Sequence, residues 1–188
     1  IGGIGMSALG RILLKRGFSI SGSDSNVSPQ TIALSNEGVT IFTEQSAENI
    51  VCICQKYTKK PLIVKSSAIG ENNLELLEAK RADLLIWHRS DLLAFLIERQ
   101  PSIVIAGSHG KTSTSSFIAT LIAKIGGDPT AIIGGIVPCF KSNAHAGKGK
   151  FLVAEADESD GTLVKFKPEI GVITNIELDH TSHYSSIS

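Results

Sequence analysis

Ser102-Ile103-Val104-Ile105-Ala106-Gly107-Ser108-His109-Gly110-Lys111-Thr112-Ser113-Thr114 is the stretch whose reading decides the fold. Its first five residues are an apolar run set off by Gln100-Pro101, which predicts a strand over Ser102 to Ala106. Beyond the loop, Phe117, Ile118, Leu121, Ile122 and Ile125 recur at helical spacing, and Gly126-Gly127 closes the pattern. A glycine loop ending in Gly-Lys-Thr between strand and helix has a chemical reason. Free N–H groups at a helix N-terminus receive phosphate oxygens, a lysine pairs with the β/γ-phosphates, and a hydroxyl holds Mg²⁺. The candidate phosphate-binding residues are therefore Gly107, Ser108, His109, Gly110, Lys111, Thr112 and Ser113. The spacing is the short GxxGKT; the longer GxxxxGK[ST] would need glycine at Ile105. The plain alternative is a helix start with an exposed lysine.

Outward from this stretch, strand-like and helix-like segments alternate, which predicts an α/β fold with a mostly parallel sheet. Ala8, Leu9, Ile12 and Leu13 have helical spacing ahead of Gly17, and Thr31 to Glu37 reads as a short helix opened by Ser28-Pro29. Phe18 to Ser21, Val39 to Phe42, Ile50 to Cys54 and Leu62 to Val64 read as strands. Asn72 to Lys80 and Asp91 to Arg99 read as helices, Phe140 to Gly149 as a polar loop, and Phe151 to Ala154 and Ile170 to Thr174 as buried strands. A domain boundary is expected near residues 98 to 101.

A second glycine loop opens the chain, Gly2-Gly3-Ile4-Gly5-Met6-Ser7-Ala8. Gly3-x-Gly5-x-x-Ala8 fits the dinucleotide fingerprint, in which glycines let the backbone approach a pyrophosphate at a helix N-terminus. An acidic residue is expected about 20 residues on, and Asp24 occupies that place. A tight turn without a ligand is the alternative. Glu155-Ala156-Asp157-Glu158-Ser159-Asp160-Gly161 follows a predicted strand. Carboxylates so crowded need solvent or a cation to screen them, and Glu155, nearest the strand, is the candidate Mg²⁺ ligand. A solvated acidic turn would also account for the run. Asn175 to His180 again follows an apolar strand, with His180 placed for a ligand site.

Composition narrows the class. The 188 residues carry 18 basic and 18 acidic side chains, and aromatics make up 5%, which argues against a basic or base-stacking nucleic-acid binder. No apolar run reaches the roughly 18 residues of a membrane-spanning helix, and the first residues lack a signal peptide's layout. Cys52, Cys54 and Cys139 read as small buried hydrophobes in a reducing compartment. The chain opens at Ile1 within a glycine run and its only methionine is Met6, so a longer protein is expected.

Together GGIGMS, SGSD, GSHGKTS, EADESD and NIELDH, in this order along essentially the whole chain, resemble the Mur ligase family of peptidoglycan synthesis. That resemblance implies a Rossmann-like UDP-sugar-binding domain over residues 1–100, its first strand preceding Ile1. It also implies the N-terminal part of a P-loop-type ATP-binding α/β domain over 101–188, with a third domain outside this sequence. The implied activity is an ATP- and Mg²⁺-dependent amide ligation in the bacterial cytoplasm. The carboxylate of UDP-N-acetylmuramate takes the γ-phosphoryl group, and the amine of L-alanine then displaces phosphate from the acyl phosphate. Nucleic acid and membrane insertion have no place in it, and the oligomeric state stays open.

By the same resemblance Lys111, His109 and His180 are catalytic, and Thr112, Glu155 and His180 hold Mg²⁺. Gly3, Gly5, Met6 and Ser7 line the UDP pyrophosphate, with Ser23 and Asp24 near the uridine. Ser66, Ser67 and Ala68 form a second loop facing that nucleotide, Arg89 lies near it, and Asn143 belongs to a substrate-side loop of the central domain. Thr181-Ser182-His183-Tyr184 departs from the proline or methionine and aspartate that members often carry after the histidine. Within the family the competing reading joins a recovered tripeptide to UDP-N-acetylmuramate. From another class, a nicotinamide-dependent oxidoreductase or non-catalytic nucleotide module would use Gly3 to Asp24 and leave GSHGKT unexplained.

Overall fold

Caps and glycines cut the chain into short elements, and the apolar face of each decides where it packs. The computed structural model describes residues 1–157 and 161–177. It divides into two units, Ile1–Leu92 and Leu93–Ser188.

In the first unit, helices α1 (Ile4–Lys15), α2 (Pro29–Asn36), α3 (Ala47–Lys56) and α4 (Leu74–Arg81) alternate with strands β1 (Ser21–Ser23), β2 (Thr40–Phe42), β3 (Ile63–Lys65) and β4 (Ile86–His88). Helix α5 (Arg89–Glu98) follows, and the division between units falls within it. The strands form two parallel pairs, β1 with β2 and β3 with β4. Ser28 caps α2 reciprocally with Thr31: its hydroxyl accepts the Thr31 N–H at 3.2 Å, and its own N–H donates to Thr31 Oγ1 at 2.9 Å. Asn73 caps α4 by accepting the Leu76 N–H at 3.1 Å.

Two expectations fail in this unit for physical reasons. Ile50 to Cys54 is not a strand but the middle of α3. Ile50 is buried against Ala79 and Leu84, with Cys54 partly buried beside them; Ile53 is buried as well, while Val51 and Cys52 face solvent. That is burial at helical period, which a short apolar run does not reveal. The cysteines are accordingly not buried hydrophobes: Cys52 and Cys139 are exposed and Cys54 is half-buried. The strand expected over Phe18 to Ser21 begins only at Ser21, because Phe18 is 59% exposed.

The second unit holds β5 (Ser102–Ala106), α6 (Lys111–Lys124), β6 (Thr130–Val137), β7 (Ser142–His145), β8 (Leu152–Glu155) and β9 (Ile170–Ile173), with a short 3₁₀ turn over Thr162–Lys165. The sheet order is β7-β6-β8-β5-β9, with β6 and β7 antiparallel and the other pairs parallel. Ile105, Ala131, Ile133 and Val153 from the sheet and Ala119 from α6 form its buried core. Each large aliphatic side chain removed from water there contributes about 2 kcal/mol. The stripe on α6 is wider than the sheet covers: Ile118 and Ile122 pack on the core, whereas Phe117, Leu121 and Ile125 are exposed.

Two further corrections belong to this unit. The loop expected over Phe140 to Gly149 contains β7, which pairs with β6. Strand β9 is not buried: Ile170 and Ile173 are 46% and 64% exposed. What positions chemistry is the placement of β5 between β8 and β9. The register pairs Ile105 with Glu155 on one side and Ala106 with Ile173 on the other, so both neighbours end beside the loop that leaves β5.

Candidate active site

The loop from Gly107 to Gly110 joins β5 to α6 through two backbone conformations that side chains disfavour. Gly107 has φ +126° and Gly110, the N-cap of α6, has φ +83°. A Cβ at Gly107 would collide with Thr174 Oγ1 and lie 2.8 Å from the Asn175 carbonyl oxygen. The Lys111 ammonium folds back onto the loop, donating to the Gly107 carbonyl at 2.6 Å and facing that of Ser108 at 3.3 Å. The Ser108 and His109 N–H groups donate to Asn175, at 3.3 and 2.9 Å, so both donors are already engaged within the protein. In the opening turn of α6, at Thr112 and Ser113, helix geometry leaves N–H groups without a carbonyl of their own helix, the kind of donor that an anion can use. The His109 ring is exposed, 3.6 Å from Glu177 Oε2.

Glu155, the last residue of β8, is half-buried beside this turn. One of its oxygens accepts the Ser115 hydroxyl at 2.8 Å. The other points at Gly134 of β6, where a Cβ would collide with it and lie 3.6 Å from Thr112 Oγ1. At Gly135 a Cβ would lie 2.9 Å from Thr112 Cγ2. Two glycines in the middle of a strand thus leave the space in which the Thr112 hydroxyl and the Glu155 carboxylate converge. Both are hard oxygen donors of the kind Mg²⁺ takes alongside phosphate and water, so the residues present fit that ion. Among the described residues no group of three His, Cys, Asp or Glu side chains could hold a metal alone. Neither Gly134 nor Gly135 stood out in the sequence, although glycine inside an apolar strand pattern signals close approach.

The first glycine loop is built differently. Gly5, Met6 and Ser7 lie in the first turn of α1 and Gly3 is its N-cap. Asp24, just past β1, accepts the Gly2 N–H at 2.7 Å and the Asn26 N–H at 3.0 Å. Burial opposes ionisation of Asp24, while these backbone donors and the neighbouring Ile1 ammonium together hold the carboxyl below the usual aspartate range. A Cβ at Gly5 would lie 3.6 Å from the Arg89 guanidinium, so Arg89 reaches the same loop. Ser7 is fully buried, its hydroxyl donating to the Ile4 carbonyl at 2.9 Å.

Around it, Ser23 donates to Glu75 at 2.6 Å, and the Glu75 carboxylate also accepts from Asn49 at 2.8 Å. Ser66, Ser67 and Ala68 form the turn after β3, where Ser67 Oγ lies 3.0 Å from His88 Nε2. His88 was not anticipated from the sequence. Asn143 sits on β7 rather than in a loop, and is buried. His180, with Glu158, Ser159 and Asp160, lies outside the described residues. No helix among the described residues is long and apolar enough to cross a membrane.

Comparison with known proteins bears on both loops. Residues 1–101 match the model of the Mur ligase family, catalytic domain, and residues 105–188 that of the Mur ligase middle domain. The UDP-N-acetylmuramate--L-alanine ligases of Synechococcus sp. (strain CC9311) and Prochlorococcus marinus (strain MIT 9313) are 58% and 57% identical to the chain over 187 residues. The match takes in 100% of this chain but 39% and 38% of those proteins, so the chain spans about two fifths of their length. The crystal structure of UDP-N-acetylmuramate-alanine ligase from Thermotoga maritima superposes with a TM-score of 0.88 at 28% identity, covering 99% of this chain and 42% of that one. The UDP-N-acetylmuramate:L-alanyl-gamma-D-glutamyl-meso-diaminopimelate ligase of Neisseria meningitides reaches 0.85 over 100% of this chain and 62% of that one. At 24% identity that likeness concerns the fold.

Proposed function

Because the chain belongs to the Mur ligase family, we propose that the whole protein joins L-alanine to UDP-N-acetylmuramate at the expense of ATP. The observation that carries the catalytic reading is the convergence of Thr112 Oγ1 and Glu155 on the space left by Gly134, at the end of α6 that Lys111 opens. The names of the relatives that are 57–58% identical over the whole chain support alanine as the amino acid.

Residues 1–100 then bind the UDP-sugar and residues 101–188 begin the ATP-binding domain. In the first, N–H groups around Gly3, Gly5 and Met6 take the pyrophosphate at the N-terminus of α1, with Arg89 adding positive charge. Ser23, Asp24 and the Ser66–Ala68 turn lie toward the nucleoside. In the second, the opening turn of α6 receives the ATP phosphates, and Lys111 exchanges the Gly107 and Ser108 carbonyls for β/γ-phosphate oxygens. Mg²⁺, held by Thr112 and Glu155, would screen the charge on the phosphoryl group as it passes to the sugar's carboxylate. Ser115 fixes one oxygen of Glu155 and so aims the other. His109, whose exposed ring lies 3.6 Å from Glu177 Oε2, would contact the transferring phosphoryl or the carboxylate. His180 completes the ligand set by family resemblance. This chemistry belongs in the cytoplasm, where ATP and sugar nucleotide meet.

In the full-length protein, Lys111→Ala should reduce turnover at least 10³-fold, on the order of a lost charge clamp on phosphoryl transfer. UDP-N-acetylmuramate affinity by titration calorimetry should stay within about twofold. Loss of sugar-nucleotide binding in that variant would contradict the division of labour between the two loops.

A further inference from the structure

The peptide planes beneath Lys111 are held from both ends. The Gly107–Ser108 peptide gives its N–H to the Asn175 carbonyl at 3.3 Å and its carbonyl to Lys111 Nζ at 2.6 Å. The Ser108–His109 peptide gives its N–H to Asn175 Oδ1 at 2.9 Å, while its carbonyl faces the same ammonium at 3.3 Å. Thr174 closes the next plane, donating its hydroxyl to the His109 carbonyl at 2.6 Å. The Thr174 N–H meets the Ala106 carbonyl at 3.0 Å and extends the β5–β9 pairing by one residue. Gly107 packs so closely on Thr174 and Asn175 that no Cβ fits between them. Successive planes of the loop are therefore fixed to the chain leaving β9, more than 60 residues away in sequence.

We propose that Asn175 and Thr174 are positioning residues for Lys111, an inference that rests on the ATP-dependent reading above. Lys111 must leave the two carbonyls when a nucleotide takes its ammonium. Those planes would then be free to turn toward α6, presenting carbonyl oxygens to an anion. Asn175 prevents this by retaining their N–H groups, so the loop is the same before and after ATP binds. Lys111 makes the contact with phosphate; Asn175 and Thr174 act only through the loop. Asn175 heads the NIELDH stretch, but its contact with the loop shows only in the sheet order, β9 beside β5.

The test uses the full-length protein and four variants, with KM and kcat measured separately for ATP and UDP-N-acetylmuramate. Asn175→Ala removes the side-chain acceptor, and Thr174→Val removes the hydroxyl at nearly constant shape. Each is expected to raise KM for ATP about five- to tenfold, as for loss of one hydrogen bond, and to lower kcat. KM for the sugar nucleotide should stay within about twofold. Thr174→Ser keeps the donor and Asn175→Asp keeps the acceptor. Thr174→Ser should restore wild-type values; Asn175→Asp should retain a wild-type melting temperature but bind ATP more weakly, because it adds negative charge near the triphosphate. Unchanged ATP parameters in Asn175→Ala and Thr174→Val would overturn the proposal. So would equal losses for both substrates with a lowered melting temperature, which mark a purely structural role. If the wild-type protein itself neither binds nor hydrolyses ATP, the ligase reading fails first and takes this inference with it.

Discussion

The two glycine loops, Gly2–Ser7 at the start of α1 and Gly107–Ser113 at the start of α6, both present a helix N-terminus, yet they use glycine for different reasons. In the loop of the second unit the reason is conformation. Gly107 and Gly110 have φ of +126° and +83°, and Gly107 also abuts Thr174 and Asn175. In the first unit the N-cap Gly3 has φ −61° and ψ 147°, which any residue adopts, and a Cβ there would meet nothing within 4 Å. Gly2 lies between these cases, since a Cβ there would lie 2.7 Å from Asp24 Oδ2 and 2.8 Å from Thr31 Cγ2. Identical letters in two motifs thus stand for strain relief, close packing and open space.

Substitution with alanine sharpens the contrast. Gly107→Ala meets both left-handed strain and collision, and should cost about 3 kcal/mol of stability by chemical denaturation, with loss of ATP binding. Gly2→Ala should cost about 1–2 kcal/mol, since Asp24 and Thr31 must give way. Gly3→Ala should change stability by less than about 1 kcal/mol, the scale of an N-cap preference. If the loop takes the pyrophosphate as proposed, this variant should still weaken UDP-sugar binding, because the new methyl group would stand where the backbone approaches the ligand. A Gly3→Ala variant as unstable as Gly107→Ala would break the comparison.

Legibility followed the range of the interactions. Strand β5, the helix after Gly-Lys-Thr and, to within a residue at either end, β8 and β9 could be read from the sequence because apolar runs, helical spacing and flanking glycines are local signals. The place of Asp24 beside the first glycine loop was legible because the fingerprint fixes its distance from the glycines. Ile50 to Cys54 misled because five apolar residues fit a strand and a helix equally, and only the packing of Ile50 and Cys54 on Ala79 of α4 and on Leu84 decides for helix. Strand β6 escaped notice because Gly134-Gly135 reads as a breaker, although those glycines make room for Thr112 and Glu155. Asn175 was invisible as a partner of the loop for a simpler reason: its contacts depend on strand order.

The central claim is that the first loop holds the sugar nucleotide and the second drives its ligation with ATP. The most direct measurement incubates the full-length protein with UDP-N-acetylmuramate, L-alanine and MgATP, following phosphate release and the mass of the nucleotide product. The account predicts phosphate release that requires all three substrates, with one alanine added to the sugar nucleotide per phosphate released. A product formed from a tripeptide in preference to L-alanine, or binding of NAD without binding of the UDP-sugar, would contradict it.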